Sequence, residues 1–268
     1  MPHFTTNGVS FYYEDTGGPD PAIVFSHGLL MSSRMFATQV ATLRDRFRCI
    51  AYDHRGQGRS SDPGGRSHDM DTCYRDAVAM IEGLDARPCH FVGLSMGGFV
   101  GMRLAARRPD LLYSLSLLET SAEPEAPENV PKYRTLAFVA RTLGTRWVAD
   151  RVMPILFGRT FMGDPARAEE RAGWRAEIAS RPRSIVRAVR GVIEREGVMD
   201  AITSIRVPTL VVVGDEDVAT PPPKARRIHE HVAGSRLARI PAAGHSSTVE
   251  QPAAVTQVLS DFLATLPQ

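Results

Sequence analysis

The segment Phe91-Val92-Gly93-Leu94-Ser95-Met96-Gly97-Gly98 restricts the fold more than any other stretch of this chain. A short apolar run, readable as a buried strand, passes at once into a helical pattern from Met96 to Arg108, which Pro109 stops. A serine on so sharp a strand-to-helix turn takes a strained backbone conformation, and its neighbours two positions away on either side come too close for side chains. Gly93 and Gly97 meet that requirement. The turn lifts the Ser95 hydroxyl clear of the strand and sets it at a helix N-terminus, where backbone N–H groups favour developing negative charge.

A strand that feeds a helix in this way is one unit of an alternating chain. Val9 to Glu14, Ala22 to Ser26, Arg48 to Tyr52, His90 to Gly93, Tyr113 to Leu118, Val207 to Gly214 and Leu237 to Ile240 read as strands. Most are short continuous apolar runs, as strands of a parallel sheet covered on both faces are. Met35, Phe36, Gln39, Val40 and Leu43 share a helical face, as do Tyr74, Val78, Ile81 and Leu84, and Val255, Val258, Leu259, Phe262 and Leu263. The class is therefore α/β with a mostly parallel sheet.

The alternation stops at residues 121–131, where Pro124, Pro127 and Pro131 stand among Glu123, Glu125 and Glu128 and exclude a core strand. From Lys132 to about Asp200 the apolar spacing is helical throughout: Leu136, Val139 and Leu143; Trp147, Val148 and Val152; Trp174 and Ile178; Ile185, Val189 and Ile193. This predicts roughly four helices. Residues 1–120 and 201–268 are expected to form a core domain, and residues 121–200 an inserted helical cap or lid. Thr220 before Pro221 reads as a helix N-cap with proline in the first turn.

Composition narrows the function classes. With 43% hydrophobic residues in 268, the chain has enough apolar surface for a large core without metal or disulfide staples. Basic and acidic residues nearly balance, 32 against 30, so no broad field recruits nucleic acid or a membrane surface. Cys49, Cys73 and Cys89 are an odd set without CxxC spacing and are expected as buried free thiols. The first residues carry neither the basic start nor the apolar run of a secretory signal, and Leu210 to Val213, the longest aliphatic run, is too short to span a bilayer. A cytoplasmic protein is expected.

An unperturbed serine needs a base to attack a carbonyl. His245 lies in the small-residue loop Pro241-Ala242-Ala243-Gly244-His245, straight after the last strand, where it reaches the turn. His229 and His231 are two apart in a helical stretch and point to different sides, against a metal pair. His3 and His68 fall in peripheral segments, His54 in a tight turn and His90 at a strand start. The base needs an acid to fix its tautomer. Asp215, Glu216 and Asp217 all follow the strand ending at Gly214; Asp217 is placed to curl back over the sheet edge, with Asp215 next and Glu119 third. The chain order is then Ser95, Asp217, His245. Gly28, in Ser26-His27-Gly28-Leu29-Leu30, lets the Leu29 N–H join that of Met96 as an oxyanion hole, with His27 as structural support. Gly56-Gln57-Gly58-Arg59-Ser60-Ser61 imitates a dinucleotide fingerprint but has serine at the third glycine. No cofactor or metal is expected.

Taken together, His27-Gly28, the stretch from Asp53 to Ser60, the turn around Ser95, Gly214 to Pro221 and Gly244-His245 resemble the α/β-hydrolase fold enzymes along nearly the whole chain. Met35 to Gln39, Ala219 to Pro222 and Val249 to Pro252 are similar to the branch that holds 3-oxoadipate enol-lactonases and small carboxylesterases. The resemblance implies an eight-stranded mostly parallel sheet, a helical cap and a cofactor-free serine mechanism on a small ester or lactone. Serine at position 95 disfavours the dehalogenases and epoxide hydrolases of that fold, which use a carboxylate there. Carbon–carbon bond hydrolysis, perhydrolysis and a low-turnover small-molecule receptor remain as alternatives. Met153, Leu156, Phe157, Phe161, Met162 and Trp174 are candidates to line the lid, and Arg134 and Arg141 candidates to bind a substrate carboxylate.

Overall fold

The computed structural model describes residues 2–266. Its first half alternates β1 (His3–Thr6), β2 (Val9–Asp15), β3 (Ala22–Ser26), α1 (Ala37–Leu43), β4 (Arg48–Tyr52), α2 (Met70–Gly83), β5 (Cys89–Leu94), α3 (Met96–Arg107) and β6 (Leu112–Leu118). Only helices follow until the sheet resumes: α4 (Val130–Thr142), α5 (Ala149–Leu156), α6 (Arg159–Gly163), α7 (Ala168–Ala179), α8 (Val186–Ile193) and α9 (Met199–Ile202). The chain closes with β7 (Thr209–Gly214), α10 (Pro222–His231), β8 (Arg236–Ile240), α11 (Ser247–Glu250) and α12 (Pro252–Ala264). No helix among the described residues is long and apolar enough to cross a membrane.

The eight strands form one sheet in the order β1-β2-β4-β3-β5-β6-β7-β8, antiparallel at β1, β2 and β4 and parallel from β4 to β8. This is the mostly parallel α/β-hydrolase sheet that the resemblance implied. Every residue of β3, β5 and β7 is buried, because helices cover both faces. Strand pleating deals their side chains alternately to two cores: Val24, Phe91, Val211 and Val213 to the α2, α3 and α10 side, and Ile23, Phe25, Val92, Leu94 and Val212 to the α1 and α12 side. The second core runs on without a break into Ala140, Val152, Phe161 and Trp174 of the inserted helices.

Several local expectations are corrected. β1 is a half-exposed edge strand whose alternation is too short to read. Six α-helices lie between β6 and β7, because prolines, glycines and short turns divide what spacing joins. Leu143 and Trp147 are exposed, since α4 ends at Thr142 and Gly144, with φ of 108°, breaks the helical phase. The buried face of α2 is Met70, Cys73, Ala77, Met80 and Ile81, while Tyr74, Val78 and Leu84 are only partly covered. His68 is buried at 2% exposure, not peripheral. The helix after β7 starts at Pro222, so Thr220 is not its cap.

Candidate active site

Ser95 sits between the end of β5 and the start of α3 with φ of 53° and ψ of −108°, a left-handed conformation unusual for a residue with a side chain. The strain is held from both sides: Ser95 N–H donates to Leu118 O at 2.9 Å, and the Thr120 hydroxyl donates to Ser95 O at 2.9 Å. A Cβ at Gly93 would strike the Gly97 carbonyl, and one at Gly97 the Ser26 carbonyl, so neither position admits a side chain.

His245 follows β8, and its Nδ1 stands 2.9 and 3.1 Å from the two carboxylate oxygens of Asp217, which follows β7. The carboxylate fixes the tautomer, with Nδ1–H donating and Nε2 left as an acceptor. Asp217 also accepts N–H donation from Ala219 at 2.8 Å and Thr220 at 3.0 Å, and the Thr220 hydroxyl at 2.7 Å. Burial acts to raise the Asp217 pKa, but His245 and the Thr220 donors outweigh it and hold the carboxyl below the ordinary value. Asp215 instead pairs with Arg239 at 2.7 Å on the surface. Glu216, from the same strand end, turns onto α6 and accepts from the Thr160 N–H and hydroxyl. Glu119 is wholly buried, and that burial, reinforced by Asp217, drives its pKa well above the carboxylate range.

Ser95 and His245 border one cavity, with no hydrogen bond joining them in this arrangement. Such contacts commonly tighten only when substrate is bound. Among the described residues, neither the Leu29 nor the Met96 N–H has a protein acceptor, which leaves both donors free. The loop carrying Leu29 is fixed by its neighbours. His27 Nδ1 donates to Gly28 O at 2.7 Å and its Nε2 accepts the His54 N–H at 2.9 Å, so the ring is a neutral, fully engaged prop. Gln57 accepts the Leu30 N–H at 2.9 Å. The Asp53 carboxylate takes the N–H groups of Ser33 at 2.7 Å and Arg59 at 2.8 Å, so the glycine-containing turn is filled by an acid and does not cradle a phosphate. His229 and His231 are turned onto Ser235 and the Arg227 carbonyl.

The cavity, of about 130 Å³, is walled mainly by apolar residues, among them Leu29, Leu136, Val152, Ile178 and Val189. Of the bulky lid candidates only Leu156 lines it; Met153, Phe157, Phe161 and Trp174 pack into the core beneath, with Met162 against them. Arg134 and Arg141 line a separate surface groove with Phe138, because they lie on the outer side of α4. The arginine that does border the cavity is Arg195, beside Glu125 and Tyr133. The sequence marks Thr220 and Gln57 only as members of stretches that resemble the family, and Arg195 not at all, since what each touches depends on a tertiary contact.

The Alpha/beta hydrolase family model matches residues 23–258. A 3-oxoadipate enol-lactonase from Acinetobacter baylyi is 28% identical over 93% of this chain and 91% of its own. The enol-lactonase of Burkholderia xenovorans LB400 superposes with a TM-score of 0.91 at 31% identity, covering 98% of this chain and 100% of that one. A thermophilic esterase from Thermogutta terrifontis superposes with a TM-score of 0.89 at 30% identity, covering 98% and 96%. The sheet, the strained serine turn and these likenesses agree: the chain belongs to the α/β hydrolase family.

Proposed function

We propose that this hydrolase cleaves carboxylic esters or lactones through an acyl-enzyme on Ser95, with His245 as general base and acid, Asp217 as its orienting acid, and the Leu29 and Met96 N–H groups as oxyanion hole. The observation that carries this reading is a histidine locked by a buried carboxylate, facing the same cavity as a serine held in a strained turn. His245 Nε2 takes the Ser95 proton as Oγ bonds to the carbonyl carbon; the carbonyl electrons move to the oxygen, where the two N–H groups meet them. Collapse breaks the bond to the leaving oxygen, which receives the proton from His245. Water then attacks the acyl-enzyme by the same route, releasing the acid and restoring Ser95. No cofactor enters either step.

Residues 121–200 serve in this reading as a cap over the core made by residues 1–120 and 201–268, and their apolar wall favours a modest apolar acyl or alcohol group. The substrate is a small molecule, and no nucleic acid or membrane partner is invoked. The test is fluorophosphonate labelling together with turnover of p-nitrophenyl esters and lactones. Ser95→Ala abolishes labelling and lowers kcat/KM by at least about 10⁴-fold, Asp217→Asn lowers it by about 10⁴-fold, and Asp215→Asn stays within about twofold. Retained activity in Ser95→Ala, or a larger loss at Asp215 than at Asp217, overturns the assignment; labelling with negligible turnover marks a receptor.

A further inference from the structure

The cavity wall carries one charged patch. Arg195, just beyond α8, is 5% exposed. Its Nε donates to Glu123 O at 3.2 Å, its Nη1 donates to Val192 O at 2.8 Å and Glu125 Oε2 at 2.9 Å, and its guanidinium lies 4.3 Å from the centre of the Phe99 ring. Among the described residues, Nη2 has no protein acceptor, and the Tyr133 hydroxyl has no protein partner either. Arg195, Glu125, Tyr133 and Phe99 all border the cavity that Ser95 and His245 face. An apolar replacement for a buried ion pair is often neutral or stabilising, so the Arg195–Glu125 pair is poorly explained by stability alone. Burial and Glu125 raise the Tyr133 pKa, which keeps its phenol protonated and able to donate.

We propose that Arg195 and Tyr133 form a specificity subsite for a neutral hydrogen-bond acceptor on the substrate, a ketone or ether oxygen several bonds from the scissile carbonyl. This rests on the ester or lactone reading above. The acceptor is neutral because Glu125 already balances the guanidinium; a substrate carboxylate would be a second anion against one cation in an apolar wall. The distance follows from α3: Phe99 lies four residues after Ser95, about 6 Å along the axis, with the guanidinium stacked beyond it.

The experiment compares kcat/KM for p-nitrophenyl hexanoate, 4-oxohexanoate, 5-oxohexanoate and the monoester of adipate, with a second series carrying the oxo group in the alcohol half. In the wild-type protein at least one oxo ester exceeds its alkyl parent by about tenfold or more, the strength of a hydrogen bond to a charged donor, and the adipate monoester does not. The oxo-to-alkyl ratio falls to near one in Arg195→Met and drops partly in Tyr133→Phe. Glu125→Gln/Arg195→Met guards against an unpaired buried carboxylate in the single variant, and the ratio is independent of the folded fraction. A wild-type ratio near one in both series, an unchanged ratio in Arg195→Met and the double variant, or a preference for the adipate monoester overturns the subsite while leaving the hydrolase reading intact. Failure to hydrolyse any ester brings down both.

Discussion

Thr220 shows how a single hydroxyl is drawn into the site. Its hydroxyl donates to Asp217 Oδ2 at 2.7 Å and lies 3.3 Å from His245 Nδ1, while α10 starts two residues later without using it as a cap. The bond helps hold Asp217 ionised. A carboxyl with a depressed pKa contributes stability present above its unfolded value and lost as pH falls through its folded value. Thr220→Val removes one donor, so the Asp217 pKa rises and the loss sets in at higher pH. The expected result is a roughly tenfold fall in kcat/KM near neutrality, the worth of one hydrogen bond to a charged group, and an acid-unfolding midpoint displaced to higher pH. Thr220→Ser restores both; an unmoved acid-unfolding midpoint in Thr220→Val would show the hydroxyl to be mere packing. The contrast with Ser95, Asp217 and His245 is physical. Those three were legible because a strained turn needs glycines beside it and because strand ends mark where side chains reach over a sheet. Thr220, Gln57 and Arg195 carry no such local requirement, and only the fold tells what each touches.

At the scale of elements, the same distinction separates the strands from the inserted helices. β3, β4 and β5 were readable because each is a short apolar run bounded by turns, and burial on both faces leaves no other use for such a run. The face of α2 and the number of helices between β6 and β7 were not, since apolar spacing fixes that a helix exists but not which neighbour takes which face. One short helix joins these two regions. From α11, Glu250 Oε2 accepts the N–H of Gly158, between α5 and α6, at 2.8 Å and of Gly244, beside His245, at 2.9 Å, and Oε1 accepts the Ser246 N–H at 3.1 Å. It is 2% exposed, and burial raises its pKa against the pull of those three donors. Glu250→Ala leaves three N–H groups without an acceptor, at about 1–3 kcal/mol for each that stays dry. The urea midpoint should fall by an amount equivalent to at least about 3 kcal/mol, with kcat reduced more than KM is raised because the His245 loop loosens. A variant as stable as wild type would show that water replaces the carboxylate at no cost.

Across the whole molecule, covering both faces of one sheet buries ionisable groups along with the apolar ones, and that sets the response to acid. His27, His54, His68 and His90 are all buried, and burial lowers the pKa of each. Glu119 and Glu250 are displaced upward and act with the opposite sign, losing stability as pH rises. A single-site comparison isolates the histidine contribution. His90, at 4% exposure, packs between the rings of Phe47 and Tyr113 and bonds the Ser114 hydroxyl at 2.8 Å. Burial pushes its pKa from 6.5 down to about 4. Between those values the unfolded chain binds the proton and the folded chain does not, so acidification favours unfolding. From pH 7 to pH 5 the wild type should lose about 2 kcal/mol more than His90→Gln loses over the same interval, since each pKa unit is worth about 1.4 kcal/mol. Urea titrations of both proteins at the two pH values give the difference directly. Equal losses would mean that His90 gains a proton within the folded state, and that the second core yields to charge more readily than its packing implies.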